Sequence, residues 1–251
     1  LHSLGYKVQG SDLAESVNTE RLSQEGITVL IGHGAENVKG VSLVVPSSAV
    51  QESNPEMVAA RKEGIPIIPR AEMLAEIMRF KLSVAVAGTH GKTTTTSLVA
   101  ALLTAGAVDP TIINGGIINS LNTNARIGQG SWMVVEADES DGTFVKLPAT
   151  IGVVTNIEAE HMEHFSTVEN LKKSFLTFMT QIPFYGFSVL CLDHPTVREI
   201  IPSITNRRFI TYGTSEEANC WAHNIRVTEE GMLYDVRYQT KDTSVHMKDI
   251  C

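Results

Sequence analysis

The 251-residue chain has room for one large or two ordinary α/β domains, and its 43% hydrophobic and 19% charged residues fit a soluble globular protein with a sizeable core. No apolar run approaches the roughly 18 residues that cross a membrane, and a formal net charge of −8 argues against a dedicated nucleic-acid binder. The three cysteines form no C-x-x-C pair, so neither a disulfide framework nor a cysteine-based zinc site is indicated, and a reducing cytoplasm is the expected location.

The first part of the chain alternates short apolar runs with helical patterns, which predicts a parallel, doubly wound sheet. Asn54 and Pro55 are a good N-cap and N1 pair for a helix over residues 56–63, and another helix is expected over residues 71–80. Because the chain opens inside a helical pattern, we expect the Rossmann-like domain over residues 1–79 to lack its first strand. The predicted strands are residues 6–9, followed by a turn at Gly10–Asp12, and residues 27–31, 41–45 and 65–68.

A second α/β domain is expected over residues 80–251, incomplete at its C-terminal end. Ser166 and Glu169 form a capping box that predicts a helix start. Residues 221–228 and 232–239 flank a turn and predict a β-hairpin. The remaining strands are predicted at residues 83–87, 111–113, 132–136, 151–156, 188–192 and 208–212.

Residues 87–93, called the phosphate loop below, connect the first of these strands to a helix predicted to begin near Thr93. Gly88 and Gly91 have no Cβ atom, so the backbone there can curl and direct N–H groups at phosphate oxygens. The N-terminal end of the helix adds positive potential. The segment is therefore predicted to hold the phosphates of a nucleoside triphosphate.

Side chains of the same segment support this prediction. Lys92 supplies a mobile positive charge for the β- and γ-phosphates, and the Thr93 hydroxyl can ligate Mg²⁺. The spacing departs from the common G-x-x-x-x-G-K-[ST] pattern, whose first glycine would fall at Val86. An ordinary glycine turn between strand and helix is the alternative. The other residues predicted to contact phosphate are Thr89, His90 and Thr94.

Carboxylates follow the predicted strand 132–136. In open α/β sheets ligands bind at the carboxyl ends of strands, and Mg²⁺ beside a phosphate loop takes one or two carboxylates. Glu136 is the best candidate ligand. The alternative for Asp138, Glu139 and Asp141 is a solvated acidic turn.

Two histidines, His161 and His164, follow the predicted strand 151–156. Their spacing would suit a zinc pair, but no third ligand has a suggestive spacing. A place beside the metal or phosphate is the favoured interpretation. Residues 114–126, rich in glycine and asparagine, are predicted to form a loop that suits pyrophosphate or sugar binding, with an ordinary connection as the alternative.

Three segments together resemble the Mur ligase family: residues 87–97 (AGTHGKTTTTS), 135–144 (VEADESDGTF) and 155–162 (TNIEAEHM). Residues 10–12 and 46–49 add support, and the resemblance covers essentially the whole chain. It implies a phosphate-loop α/β ATP-binding domain after a UDP-binding domain, in a cytoplasmic ligase of peptidoglycan synthesis. The second and third segments point to the activity that joins L-alanine to the lactyl carboxylate of UDP-N-acetylmuramate, with no nucleic-acid or membrane partner and with a homodimer left open.

The resemblance also implies a mechanism and roles for residues. The substrate carboxylate attacks the γ-phosphate of ATP to give an acyl phosphate, and the amine of alanine then displaces phosphate. Lys92 matches the phosphate-binding lysine of the family, and His90 is expected to face the substrate. The metal ligands implied are Thr93, Glu136 and His161, and the residues implied for the UDP-substrate are Ser11, Asp12, Ser47, Ser48, Asn114, Asn119 and Arg126.

Two departures from the family pattern stand out. The glycine turn of the first strand is absent, as are the adenine-holding segment and the domain that binds the amino acid. We therefore expect that these 251 residues alone do not complete ligation. The alternatives are a ligase that attaches a recycled tripeptide to the same UDP-sugar, a nucleotide-dependent switch, for which no N-K-x-D motif is found, and a non-catalytic UDP-sugar binding module.

Overall fold

The computed structural model describes residues 1–47, 49–118, 123–229 and 231–250. The chain divides into two compact units, Leu1–Ile77 and Met78–Cys251. Among the helices that the structure describes, none combines the length and the apolar character needed to cross a bilayer.

The first unit is built on a two-stranded parallel sheet with a helical crossover. Asn54 caps the second helix as predicted, because its Oδ1 accepts the Glu56 N–H at 2.9 Å. Gly64, with φ of 69°, follows the end of that helix. In chain order the elements are β1 (Gln9–Asp12), α1 (Val17–Gln24), β2 (Thr28–Ile31), α2 (Pro55–Lys62) and α3 (Arg70–Met78).

Strand predictions in this unit were partly wrong. The first strand begins at Gln9 and contains the Gly10–Asp12 segment expected to be a turn, because that segment pairs residue by residue with β2. Tertiary pairing here overrides a local turn preference. The strands expected at 41–45 and 65–68 reduce to one parallel bridge between Val44 and Ile67.

The second unit contains a ten-stranded sheet of order β12-β11-β10-β9-β8-β7-β3-β6-β4-β5. Its seven central strands, from β10 to β4 in that order, are parallel. At the two ends of the sheet the pairs β4–β5, β10–β11 and β11–β12 are antiparallel. The strands are β3 (Leu82–Ala87), β4 (Thr111–Ile118), β5 (Thr123–Arg126), β6 (Trp132–Glu136), β7 (Ile151–Val154), β8 (Phe187–Cys191), β9 (Phe209–Gly213), β10 (Cys220–Thr228), β11 (Gly231–Gln239) and β12 (Ser244–Ile250).

Four α-helices lie among the described residues of this unit. They are α4 (Lys92–Ala105), α5 (Met162–Phe165), α6 (Val168–Gln181) and α7 (Pro195–Ile200). The fold class predicted from sequence, an α/β protein with a mainly parallel sheet, is confirmed.

The core of the second unit explains the apolar runs in the sequence. Strand β3 lies between β6 and β7 and is buried from Ser83 to Ala87. Val84, Val86, Val134 and Val153 pack together there. Parallel strands covered on both faces read as continuous apolar runs rather than as alternating ones. Since β3, β6 and β7 are parallel, their carboxyl ends lie at one edge of the sheet.

Two local expectations changed in the second unit, and a third was confirmed. Helix α6 is capped by Thr167, whose Oγ1 accepts the Asn170 N–H at 3.2 Å, and not by Ser166, which has a φ of 65°. Residues 114–126 were expected to form a loop, but residues 114–118 continue β4 and residues 123–126 form β5, which pairs antiparallel with β4. The hairpin predicted at 221–239 is confirmed as β10 and β11.

Candidate active site

The phosphate loop bends at two glycines that follow β3. Gly88 has a φ of 138°, and a Cβ added there would lie 2.0 Å from Thr155 Oγ1. Gly91 has a φ of 79° and is the N-cap residue of α4. Backbone at both positions lies where side chains with a Cβ are disfavoured. The loop therefore depends on glycine for two different reasons, close packing at the first position and turn conformation at the second.

Alanine substitutions should separate these two reasons. Gly91→Ala is expected to cost about 1 kcal/mol of unfolding free energy, since it adds conformational strain where a new Cβ meets no described atom within 4 Å. Gly88→Ala is expected to cost at least about 3 kcal/mol, because the strain is joined by a clash with the end of β7. Urea denaturation of the two variants measures the difference. Equal costs for the two would contradict this account of the loop.

The residues after β7 hold the phosphate loop in place. Asn156 accepts the His90 N–H at 2.8 Å and donates its Nδ2 to the His90 carbonyl at 2.9 Å. Thr155 Oγ1 donates to the same carbonyl at 2.8 Å, and the Glu158 N–H donates to Thr89 Oγ1 at 2.9 Å. Thr89 is consequently buried and tied into this network, whereas the His90 side chain is about half exposed. Sequence reasoning assigned none of these clamping roles.

The Lys92 side chain folds back over its own loop. Its Nζ donates to the Gly88 carbonyl at 2.8 Å and to the Thr89 carbonyl at 3.1 Å. It also donates to Glu139 Oε1 at 3.1 Å and lies 2.8 Å from Oε2 of the same carboxylate. The side chain is 13% exposed. The cation is thus held at the mouth of the bend by one carboxylate and two carbonyl groups.

Glu139 was placed by sequence among the alternatives for a solvated acidic turn, and the structure corrects this interpretation. Its side chain is 1% exposed, whereas Asp138 and Asp141 are exposed. Burial raises the pKa of the Glu139 carboxyl above its ordinary value, and the hydrogen bond from Lys92 acts in the opposite direction. The only sequence signal was its position three residues after Glu136, at the end of a buried strand.

A second cluster of oxygen atoms surrounds Glu136 at the end of β6. Thr93 Oγ1 donates to Glu136 Oε2 at 3.0 Å, and the Gly115 N–H donates to the same oxygen at 2.9 Å. The predicted partners Thr93 and Glu136 are therefore in direct contact. A hydroxyl and a carboxylate are the hard oxygen donors that Mg²⁺ prefers. The residues present fit a magnesium ion at this position.

His161 lies beside the lysine pair rather than beside Glu136. Its Nε2 is 3.7 Å from Glu139 Oε1, and its Nδ1 is 3.7 Å from Glu163 Oε1. The residue is the N-cap of α5 with a φ of 54°. His164 packs its ring edge-on against Phe165 at 4.7 Å, so the two histidines have different neighbours. Thr94 is exposed on the first turn of α4.

Of the residues predicted to contact the UDP-substrate in the first unit, Ser11 and Asp12 are the last two residues of β1. Ser11 Oγ donates to Glu56 Oε2 at 2.8 Å and lies 3.2 Å from His33 Nδ1. Asp12 and Ser47 are exposed, and Ser48 lies outside the described residues. The Ser11 hydroxyl is thus engaged by two side chains that sequence reasoning did not single out.

The residues predicted for the sugar–pyrophosphate in the second unit have structural partners. Asn114 is 4% exposed, and its Nδ2 donates to Ser97 Oγ at 3.2 Å. Arg126 Nη2 donates to Asp109 Oδ1 at 2.5 Å. Asn119 lies outside the described residues. The structure therefore gives Asn114 and Arg126 contacts that position β4 and β5.

The sheet and the site place the second unit in the class of phosphate-loop α/β proteins. A central parallel strand ends in a glycine-bracketed bend, and a lysine at the start of a helix follows it. Comparison with protein-family models identifies the family within this class. The Mur ligase middle domain matches residues 86–250, and the Mur ligase family catalytic domain matches residues 1–82. The chain belongs to the Mur ligase family, which confirms the resemblance noted from sequence.

Two similar curated relatives carry the same name. The chain is 55% identical over 251 residues to the UDP-N-acetylmuramate–L-alanine ligase of Brucella anthropi, covering 100% of this chain and 54% of that protein. It is 52% identical over 252 residues to the same ligase of Sinorhizobium medicae, again covering 100% of this chain and 54% of that protein. The chain spans about half the length of the curated relatives it matches.

Solved structures agree with the fold. A UDP-N-acetylmuramate-alanine ligase from Thermotoga maritima aligns with a TM-score of 0.78 at 27% identity, covering 98% of this chain and 55% of that chain. UDP-N-acetylmuramate:L-alanyl-gamma-D-glutamyl-meso-diaminopimelate ligase from Neisseria meningitides aligns with a TM-score of 0.83 at 22% identity, covering 98% and 80%. The second likeness bears on the fold alone.

Proposed function

We propose that this chain carries the ATP and UDP-substrate sites of a ligase that joins L-alanine to the carboxylate of UDP-N-acetylmuramate in peptidoglycan synthesis. The observation that carries the proposal is the meeting of Lys92, Glu139, Thr93 and Glu136 at the carboxyl edge of the sheet. A cation and hard oxygen donors at the N-terminus of α4 are the groups that a triphosphate tail requires. The names of the 52–55% identical relatives support the choice of substrates.

The proposed chemistry brings two anions together. A carboxylate oxygen of the sugar's lactyl group forms a bond to the γ-phosphorus while the bond to the β–γ bridging oxygen breaks, which releases ADP. The amine of alanine then attacks the acyl carbon, and phosphate leaves with the electron pair of the C–O bond. Lys92 offsets the negative charge that collects on the transferred phosphoryl group. The glycine bend and the clamp through Asn156, which itself accepts the His90 N–H, hold the loop backbone in a fixed conformation, so little reorganisation is needed during transfer.

Thr93 and Glu136 are proposed to hold Mg²⁺, and His161 is proposed to lie near a second metal position. A bound magnesium ion supplies charge neutralisation between the β- and γ-phosphates. In the structure the Thr93 hydroxyl donates a hydrogen bond to the Glu136 carboxylate. Metal binding would redirect both groups toward the ion. Gly115 would keep its backbone hydrogen bond to Glu136 and fix the direction of the carboxylate.

A magnesium titration tests this assignment. In Glu136→Ala the Mg²⁺ concentration that half-saturates ATP binding is expected to rise at least about 10-fold, because the variant loses a direct ligand. Asp138→Ala is the matched control, since Asp138 is exposed and lies two residues further along the chain. A fluorescent ATP analogue reports the binding. Superimposable Mg²⁺ curves for wild type and Glu136→Ala would exclude Glu136 as a ligand.

The first unit is proposed to bind the UDP part of the substrate. The domain over residues 1–79 would use Ser11, Asp12, Ser47 and Ser48, and the ATP domain over residues 80–251 would contribute Asn114, Asn119 and Arg126 toward the sugar and pyrophosphate. Arg126 is the cationic member of this set, and a diphosphate would compete with Asp109 for its guanidinium group. The protein is proposed to act in the cytoplasm. Whether it forms a homodimer is a question for light scattering.

The preferred acceptor, L-alanine or the tripeptide, distinguishes this proposal from a tripeptide-recycling ligase. A protein extended to the length of the curated relatives should release phosphate when given ATP, UDP-N-acetylmuramate and L-alanine, and far less with the tripeptide as acceptor. The reverse preference would favour the recycling activity. Binding of UDP-sugar without any release of phosphate would favour the non-catalytic module.

A further inference from the structure

Three potential metal ligands meet on one face of the antiparallel strands β10, β11 and β12, in a region that the proposed ligase function does not use. His223 lies on β10, Asp235 on β11 and His246 on β12. One ring nitrogen from each histidine and one carboxylate oxygen of Asp235 all lie within 4.8 Å of one another. The cluster therefore joins three neighbouring strands.

Sheet register explains why these residues converge. His223 and Asp235 are directly opposite each other in the β10–β11 pair. His246 is opposite Arg237 in the β11–β12 pair, two residues along β11 from Asp235 and hence on the same face. Side chains at direct and diagonal cross-strand positions are within reach of each other. The three residues are 12 and 11 positions apart in the sequence, so no local spacing motif could reveal them.

The carboxylate of Asp235 is buried and held in a fixed direction. It is 6% exposed. Asn224 Nδ2 donates to its Oδ2 at 2.8 Å, and the Asp249 N–H donates to its Oδ1 at 3.0 Å. Both donors come from residues with left-handed backbone, at φ of 50° and 52°, beside irregularities in β10 and β12.

The imidazole of His223 has an unused polar atom. Its Nδ1 is buried and has no hydrogen-bond partner within the parts of the chain that the structure describes. An unpaired buried polar atom of this kind costs roughly 1–3 kcal/mol. The ring of His223 stacks on that of His246 with centroids 5.4 Å apart and planes 25° apart. His246 is exposed, so its ring can turn toward the carboxylate without disturbing the core.

Two arginines near this cluster are already engaged. Arg226 Nη2 donates to Asp249 Oδ1 at 2.5 Å. The guanidinium carbon of Arg237 lies 5.8 Å from the centre of the Trp221 ring, in a cation–π arrangement. Neither contact uses the carboxylate of Asp235. A cavity of about 400 Å³ lies beside the Asp235 carboxylate and is lined also by Asn224, Arg226, Lys248 and Asp249, whereas neither histidine of the cluster lines it.

We propose that His223, Asp235 and His246 form a binding site for a divalent transition-metal ion of the zinc type. Imidazole nitrogens with one carboxylate oxygen suit zinc and its neighbours better than magnesium or calcium, which prefer oxygen ligands alone. Zinc bonds of about 2.1 Å require ligand atoms about 3.4 Å apart in a tetrahedron, which a rotation of the exposed His246 ring provides. Water completes the coordination. The ion ties the outermost strand β12 to β10 and β11.

The site is independent of the proposed ligase activity, and zinc binding tests it directly. The 251-residue chain is stripped of metal with a chelator and then titrated with Zn²⁺ against a chromophoric competitor. We expect a zinc equivalent in wild type whose affinity falls at least about 10-fold in His246→Gln and in His223→Gln. His2→Gln is the matched control, since His2 is an exposed histidine of the first unit, and it should titrate like wild type.

Two further measurements, of folding and of zinc in the crystal, complete the test. Circular dichroism shows whether each variant is folded, and should His223→Gln unfold, the exposed His246→Gln decides alone. Crystals soaked in Zn²⁺ should show an anomalous peak bounded by the three side chains. Titrations of wild type and His246→Gln that superimpose, or an anomalous map without density at this position, would overturn the proposal and leave the phosphate-loop assignment untouched.

Discussion

Lys92→Ala is expected to lower ligase turnover by at least about 100-fold, the largest functional effect of any single substitution in this chain. The reason is that the lysine is the charged group inside the phosphate loop, and removing one preorganised charge-stabilising contact from group transfer costs about 100- to 1,000-fold. Its Nζ lies against two loop carbonyls and one buried carboxylate, so it is already positioned where phosphate oxygens would arrive. Phosphate release is measured on a protein extended to the length of the curated relatives.

The control for this experiment is the substitution of an exposed lysine that lies outside the phosphate loop. Lys241 is exposed on the segment between β11 and β12, and Lys241→Ala should leave turnover unchanged. Lys92→Arg gives a second comparison, because arginine keeps the charge but not the compact ammonium group that fits between the two carbonyls. Turnover of Lys92→Ala within a few-fold of wild type would contradict the role assigned to the lysine.

Glu139→Ala is expected to lose about 3–5 kcal/mol of unfolding free energy. Breaking a buried ion pair by removing one partner leaves the other charge uncompensated. Glu139 is 1% exposed and Lys92 is 13% exposed, so water replaces the lost carboxylate poorly. The carbonyls of Gly88 and Thr89 keep part of the lysine's hydrogen bonding, which favours the lower end of that range. Urea denaturation measures the change.

A double-mutant cycle separates the pair from its surroundings. Replacing both groups, as in Lys92→Met with Glu139→Leu, should destabilise far less than the sum of the single substitutions, because no isolated charge stays buried. Glu139→Gln adds a pH test. Since burial raises the pKa of this carboxyl, the native state holds the proton more tightly than the unfolded chain, and wild type loses stability as pH rises from 4.5 through the native pKa. Glu139→Gln should lack that slope. Additive single effects would show that the two residues do not act as a pair.

Much of the fold followed from the sequence because its strongest signals are local. The buried strands around Val84, Val134 and Val153 read as continuous apolar runs, and the glycine-containing sequence at residues 229–231 predicts a turn between two β patterns. The first strand was misplaced because Gly10, Ser11 and Asp12 favour turns in isolation and become a strand only through pairing with β2. Register with a distant partner is not encoded in a short window.

The candidate site was predictable in part for the same reason. The glycines, Lys92 and Thr93 are adjacent in the chain, and Glu136 ends a recognisable strand. Asn156 as a clamp and Glu139 as the buried partner of Lys92 depend on how β6 and β7 flank β3, which only the three-dimensional arrangement shows. A run of acidic residues has the pattern of a solvated turn, and a single buried member of it carries no distinguishing signal.

The structure of the chain with a non-hydrolysable ATP analogue and Mg²⁺ tests the central assignment most directly. We expect the β- and γ-phosphates inside the bend at residues 88–93, with Lys92 Nζ turned from Glu139 to within hydrogen-bonding distance of the phosphate oxygens and the metal bound by Thr93 and Glu136. A bend without nucleotide at saturating concentrations of the analogue, with Lys92 still paired to Glu139, would contradict the account.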